Sequence, residues 1–235
     1  MSPNDARRAL SALRARINGS GAALLEDSRP IAPTALDRLG VLRTHRKSQR
    51  WSWRSEPVTP GLRTKQSWGW CFSPDGRVLV LIGEDTGSAC LPGGTLEPGD
   101  QGDPAAALRR EAFEEASVRI SEPAYLGYLY DGSGHAYHDA GPCARVRMAA
   151  AITGCGPSAR DGASEQTYGR LLATPEQAAE LFDWGADRAL QLDAVHAARE
   201  QLGLPRAVRQ PLTELPPDGA RMSLSPRCRN REVLP

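Results

Sequence analysis

The 235-residue chain lacks the features that would commit it to a membrane, a disulfide framework or a polyanion. No apolar run approaches the ~20 residues needed to span a bilayer. The opening stretch MSPNDARRALSALRARING has no apolar centre of a secretion signal, so a soluble cytoplasmic protein is expected. Its cysteines, Cys71, Cys90, Cys143, Cys155 and Cys228, are odd in number, lie far apart and include no CxxC pair. That spacing excludes a zinc ribbon and predicts reduced thiols. Formal net charge is only +1, so no global field recruits nucleic acid or an anionic surface. Nothing in the chain resembles a helix-turn-helix or a zinc finger, and no nucleic-acid or membrane partner is expected. Large apolar residues become sparse after Leu204, where PRAVRQPLTELPPDGARMSLSPRCRNREVLP is rich in proline and arginine. Such a composition predicts a disordered C-terminal tail over residues 204–235.

Hydrophobic residues make up 40% of the sequence, enough for one core of ordinary size. An N-terminal extension over residues 1–65 carries helical spacing at 5–18 and 34–40, then a basic stretch at 41–65 that reads as a linker or a phosphate-facing flap. The main domain is expected over residues 66–203. SWGWCFSP, the turn PDG and RVLVLIGED read as a β-hairpin. VRISEPAYLGYLY reads as one strand, ARVRMAAAITG as another and TYGRLLA as a short third. Trp51, Trp53, Trp68 and Trp70 alternate as half-buried strand residues do, although aromatics so placed can also stack on a base. Asp103 followed by Pro104 predicts a helix of about 13 residues ending at Ala116. A last helix fits DRALQLDAVHAAREQLG, with Leu190, Ala194 and Ala197 on one side. His135 and His138 sit in a polar loop with no partners at metal spacing, and surface or packing roles suit them.

The segment ALRREAFEEA carries the chemistry. On a helix Glu111, Glu114 and Glu115 share an arc of about 100°, beside a separate apolar stripe of Ala105, Leu108, Ala112 and Ala116. Like charges at such spacing repel, and near a helix C-terminus the macrodipole adds a penalty of ~0.3–1 kcal/mol each. Arg110 offsets part of this. A solvated face tolerates such a cost, whereas a hard divalent cation reverses it, because Mg²⁺ or Mn²⁺ seeks clustered oxygen ligands. The preceding loop, LPGGTLEPGD, has glycines that allow close backbone approach but is neither GxGxxG nor GxxxxGK[ST].

Loop and helix together resemble the Nudix signature, G-x5-E-x7-R-E-U-x-E-E-x-G-U, in which U is aliphatic. Gly94 opens it, Asp100 stands at the first Glu, REAFEE from Arg110 to Glu115 matches, and Val118 takes the last aliphatic place. The resemblance implies an α/β fold, a Nudix-type α/β/α sandwich with a mixed β-sheet. It also implies a hydrolase that needs Mg²⁺ or Mn²⁺ and cleaves a phosphoanhydride bond in a nucleoside diphosphate-linked small molecule. By position, Glu111, Glu114, Glu115 and the Gly94 carbonyl hold the metal and Arg110 orients a glutamate. Glu165, in the loop before a late strand, is the candidate further base or ligand. A nucleotide-sensing module of the same fold without turnover is the alternative, and a homodimer is left open. Three positions depart from the signature: Asp100 is one methylene shorter than Glu, nine residues instead of seven separate it from Arg110, and Ser117 replaces Gly. The two extra residues should be absorbed before the helix cap, leaving Asp100 about 1.5 Å short of reach and nearly dispensable.

Overall fold

A computed structural model describes residues 51–83, 87–132, 141–162, 165–182 and 187–220. The helices expected at 5–18 and 34–40, the loop with His135 and His138, and residues 221–235 lie outside the described residues. Among the described residues ten strands and three α-helices follow in the order β1 (Trp51–Arg54), β2 (Arg63–Phe72), β3 (Val78–Ile82), β4 (Ala89–Cys90), β5 (Gly93–Thr95), α1 (Pro104–Ala116), β6 (Val118–Ile120), β7 (Ala124–Asp131), β8 (Cys143–Cys155), β9 (Gly169–Ala173), α2 (Pro175–Phe182), α3 (Arg188–Gln201) and β10 (Thr213–Glu214).

The expected hairpin forms: Ser73 N–H donates to Arg77 O at 2.8 Å, closing the turn between β2 and β3. The strands pair in the order β1-β7-β8-β2-β3-β9-β10, with β4 on β3, β5 on β2 and β6 on β8. β2 and β8 run parallel while the other pairs are antiparallel, so the sheet is mixed. Alternation along β2 and β3 sends Trp70, Phe72, Val78, Val80 and Ile82 to one face, where they pack with Ala178, Leu181, Val195 and Ala198 of α2 and α3. Cys71, Leu79 and Leu81 point the other way, onto Ala112 and Ala116 of α1. The result is the α/β/α sandwich. Trp70 is fully buried, while Trp51, Trp53 and Trp68 are half-buried strand residues, with the Arg145 guanidinium 4.6 Å above the Trp51 ring.

Local signals set α1. The Asp103 side chain accepts from the N–H groups of Ala105 and Ala106 at 2.8 and 3.2 Å, and Pro104 occupies the first turn. Other elements differ from expectation. The strand expected through VRISEPAYLGYLY is two strands, β6 and β7, since SEP interrupts the pairing and Pro123 has no N–H to donate. The buried stripe of α3 runs through Gln191, Val195 and Ala198, leaving Leu190 57% exposed and Ala197 exposed, so the helix is rotated by about one residue from the apolar pattern. α2 is an element the periodicity did not reveal. Its signal is TPEQ: Gln177 N–H donates to Thr174 Oγ1 at 3.2 Å while Thr174 N–H donates to Gln177 Oε1 at 3.0 Å, a reciprocal capping box.

Domain limits shift at both ends. β1 pairs with β7, and β2 begins at Arg63, so part of the basic stretch belongs to the sheet. Residues 204–220, expected to be disordered, are folded: Leu204, Leu212 and Leu215 are buried and β10 pairs with the edge of β9. Backbone pairing needs no apolar composition, and three spaced leucines suffice as anchors. Among the described residues no helix is long and apolar enough to cross a membrane.

Ser117 ends α1 in the left-handed region, at φ 54° and ψ 33°, a conformation glycine takes without the Cβ penalty. Ser117→Gly should therefore stabilise the protein by about 1 kcal/mol and raise Tm by roughly 2–4 °C in a thermal melt. An unchanged or lower Tm would remove the argument for strain at this cap.

Candidate active site

The helix face expected from the sequence is assembled around Arg110. Its Nη1 lies 2.9 Å from Glu114 Oε2 and 3.1 Å from Glu111 Oε1, and its Nη2 donates to Thr95 O at 3.1 Å. On its other side Nε and Nη2 donate to Asp100 at 3.2 and 3.1 Å. The carboxylates hold the guanidinium's proton well above the ordinary arginine range.

Asp100, one methylene shorter than Glu, is therefore not left out of the site: it reaches Arg110. It is 5% exposed and also accepts from Glu97 N–H at 2.7 Å. The chain reaches this geometry through a 3₁₀ turn at Pro98–Asp100, and the two extra residues are absorbed at Gln101 and Gly102, with φ of 52° and 79°. Hydrogen bonds from Arg110 hold the Asp100 carboxyl below the usual carboxylate range, against the opposing effect of burial. Asp100→Ala would leave Arg110 with a vacated side, and a loss of about 2–4 kcal/mol is expected in denaturant unfolding. A loss under about 0.5 kcal/mol would mean the pair is only a surface contact.

β5 brings the glycine loop onto the ridge. Gly93 N–H donates to Glu115 Oε2 at 2.9 Å. Gly94 lies so near Glu111 that a Cβ would overlap its carboxylate, which would then have to turn aside. Burial pushes the Glu115 carboxyl up to about 8, opposed by the Gly93 N–H and reinforced by the charges of Glu111, Asp161 and Glu114. Burial also raises Glu111, against the pull of Arg110.

Asp161 is the residue that sequence reasoning missed. It is 6% exposed, and its charge raises both Glu111 and Glu115. The expected candidate in that loop, Glu165, is not brought to the ridge. Its side chain is 81% exposed, 3.9 Å from Arg160, with a left-handed φ of 56°. A sequence signal existed only in part: an acidic residue in this loop was anticipated, but two were available and nothing local distinguished them.

The donor set suits a hard cation. Glu111, Glu114, Glu115, Asp161 and the Gly94 carbonyl offer oxygen, while the nearby Cys71 thiol is pushed up to about 12 by burial and the Glu115 charge. Cys90 is raised further by the same causes, so neither offers a thiolate at neutral pH. Cys71, Cys90, Cys143 and Cys155 are all free, as expected. Among the described residues no three acidic, His or Cys side chains already converge at ligating distance; Glu111 and Glu114 are turned onto Arg110.

Glu115 binds its proton more tightly in the folded chain than in the unfolded one, where the value is about 4.5. Its contribution is fully present below that value and lost as pH rises through about 8. Thermal melts in chelator should show Tm falling between pH 5 and 8.5 by more in the wild type than in Glu115→Gln. Parallel pH profiles would contradict this burial argument.

The sequence model of the NUDIX domain matches residues 65–183, and the chain belongs to the Nudix family, with the class of a Nudix-type hydrolase. A search of curated proteins finds no match. Among solved structures, a mutant of the Bacillus subtilis pyrophosphohydrolase BsRppH is similar at 19% identity, covering 63% of this chain and 90% of that one with a TM-score of 0.48. A NUDIX hydrolase from Nitrosomonas europaea is similar at 14% identity, covering 63% and 93% with a TM-score of 0.45. The C. elegans Ap4A hydrolase is similar at 18% identity, covering 58% and 98% with a TM-score of 0.38.

Proposed function

We propose that the protein is a divalent-metal-dependent hydrolase that cleaves a phosphoanhydride bond in a nucleoside diphosphate-linked small molecule. The observation that carries this reading is the environment of Glu115: a carboxyl pushed up to about 8 among Glu111, Glu114 and Asp161, beside a glycine loop that admits close approach. Groups so perturbed by burial and like charge in one place mark working sites more often than solvated faces. Mg²⁺ or Mn²⁺ bound there would neutralise diphosphate charge and make a bound water more acidic.

Each residue then has its own task. Glu111, Glu114 and Glu115, with the Gly94 carbonyl, would hold the cation. Arg110 sets the side chains of Glu111 and Glu114, and is itself fixed by Asp100. Glu115 ties the loop to the helix through Gly93 N–H. Asp161, in place of Glu165, is the further carboxylate available to take a proton from attacking water or to complete the ligand set. The reading takes a cytoplasmic setting and a nucleotide-linked small molecule as the partner, with the protein a monomer or a homodimer.

Incubation with a panel of nucleoside di- and triphosphate derivatives plus Mg²⁺ or Mn²⁺ should yield cleaved products from at least one member. Glu115→Gln and Asp161→Asn should each lower turnover at least about a hundredfold, ~2.7 kcal/mol, whereas Glu165→Gln should change it by less than about threefold. Metal-dependent binding with every ligand recovered intact would instead make the protein a nucleotide-sensing module.

A further inference from the structure

Residues 204–220 lie beyond the part of the chain that matches the family, yet they reach the catalytic end of the molecule. The connection begins at Arg170 on β9, which is 3% exposed. Its guanidinium donates from Nη1 to Ala116 O at 3.0 Å and Gly156 O at 2.9 Å, and from Nη2 to Pro216 O at 2.5 Å and Pro217 O at 3.4 Å. One buried charge thus joins three pieces of backbone: the last residue of α1, the loop after β8 and the C-terminal segment. Ala116 O belongs to the negative end of the α1 dipole, a favourable place for a cation. Only a planar fork with several donors can serve all these carbonyls at once.

The segment also touches the end of β8 and the loop after it directly. Ala220 N–H donates to Cys155 O at 3.2 Å and Ser158 N–H donates to Pro217 O at 2.6 Å. Gly219, at φ 88°, runs so close that a Cβ would stand 2.5 Å from Cys155 O and 2.7 Å from Gly156 C. The loop is tied in turn to the helix, since Gly156 N–H donates to Ser117 O at 2.8 Å. Three residues past Ser158 stands Asp161, 6% exposed beside the glutamates.

We propose that Leu204–Ala220 is a positioning strap: it clamps the Gly156–Asp161 loop against the end of α1, and the placement of Asp161 at the carboxylate ridge depends on it. Arg170 and Gly219 are accordingly positioning residues that act through Asp161. A segment that only sealed the sheet edge would need no more than β10 and its flanking leucines, Leu212 and Leu215. The chain instead continues to Cys155, the last residue of β8, and to Gly156 and Ser158 in the loop that follows it. The inference rests on the reading of Asp161 as a working carboxylate.

The test uses the full chain with Gly219→Ala, and Arg170→Lys as a second variant should the first fail to fold. Amide hydrogen exchange, measured in chelator without substrate, should quicken at least about tenfold over residues 156–161 while α1 and the β2–β3 hairpin keep their protection. In steady state kcat should fall about tenfold with KM within about twofold, and Gly219→Ala should have no further effect in an Asp161→Asn background. Unchanged exchange in the loop, or a loss that multiplies with Asp161→Asn, would overturn the strap. If the wild type turns over nothing, the hydrolase reading fails on that result, and the exchange measurement still decides whether the segment holds the loop.

Discussion

One guanidinium sets the geometry of the carboxylate ridge on α1. Arg110 meets Asp100 on one side and Glu111 and Glu114 on the other, with Glu97 Oε1 at 3.5 Å and the Thr95 carbonyl closing the ring. A single positive charge cannot offset so many carboxylates. At Glu115 burial, and after it the charges of its neighbours, hold the carboxyl far above its ordinary range. The arrangement is costly for a bare protein and would be favourable for one that binds a divalent cation, which is the argument behind the proposed cation site.

The rest of the fold serves this constraint. Parallel pairing of β2 with β8 and antiparallel pairing of β2 with β5 bring the glycine loop under α1. Gly69 lets α1 sit close, since a Cβ there would stand 2.5 Å from Leu108 Cδ1. Glycine at position 94 leaves room for the Glu111 carboxylate. From the opposite direction the loop after β8 carries Asp161 in, and its anchors are Arg170 and the C-terminal backbone.

What the sequence made legible was what short-range chemistry decides. Asp103 and Pro104 start α1, the period of 3.6 residues puts three glutamates on one side, and the hairpin turn is written in PDG. The box TPEQ was equally local and could have revealed α2. The phase of α3 was not legible, because its buried stripe includes Gln191, a polar residue that an apolar pattern passes over. Asp161 could not be preferred to Glu165 because the loop that carries it meets Pro217 and Gly219, more than fifty residues on, and no local pattern shows that contact. Asp100 misled for a related reason. Counting methylenes measured its reach along an unbent loop, whereas the 3₁₀ turn and the left-handed residues after it move the carboxylate onto Arg110.

The central claim is that the carboxylate ridge is a cation site. A crystal soaked in Mn²⁺ and measured at a wavelength that excites manganese would test it most directly. The account predicts an anomalous peak against Glu115 and Glu111 and within reach of the Gly94 carbonyl. A map with no peak there at saturating Mn²⁺, and with Arg110 still bridging Glu111 and Glu114, would contradict it.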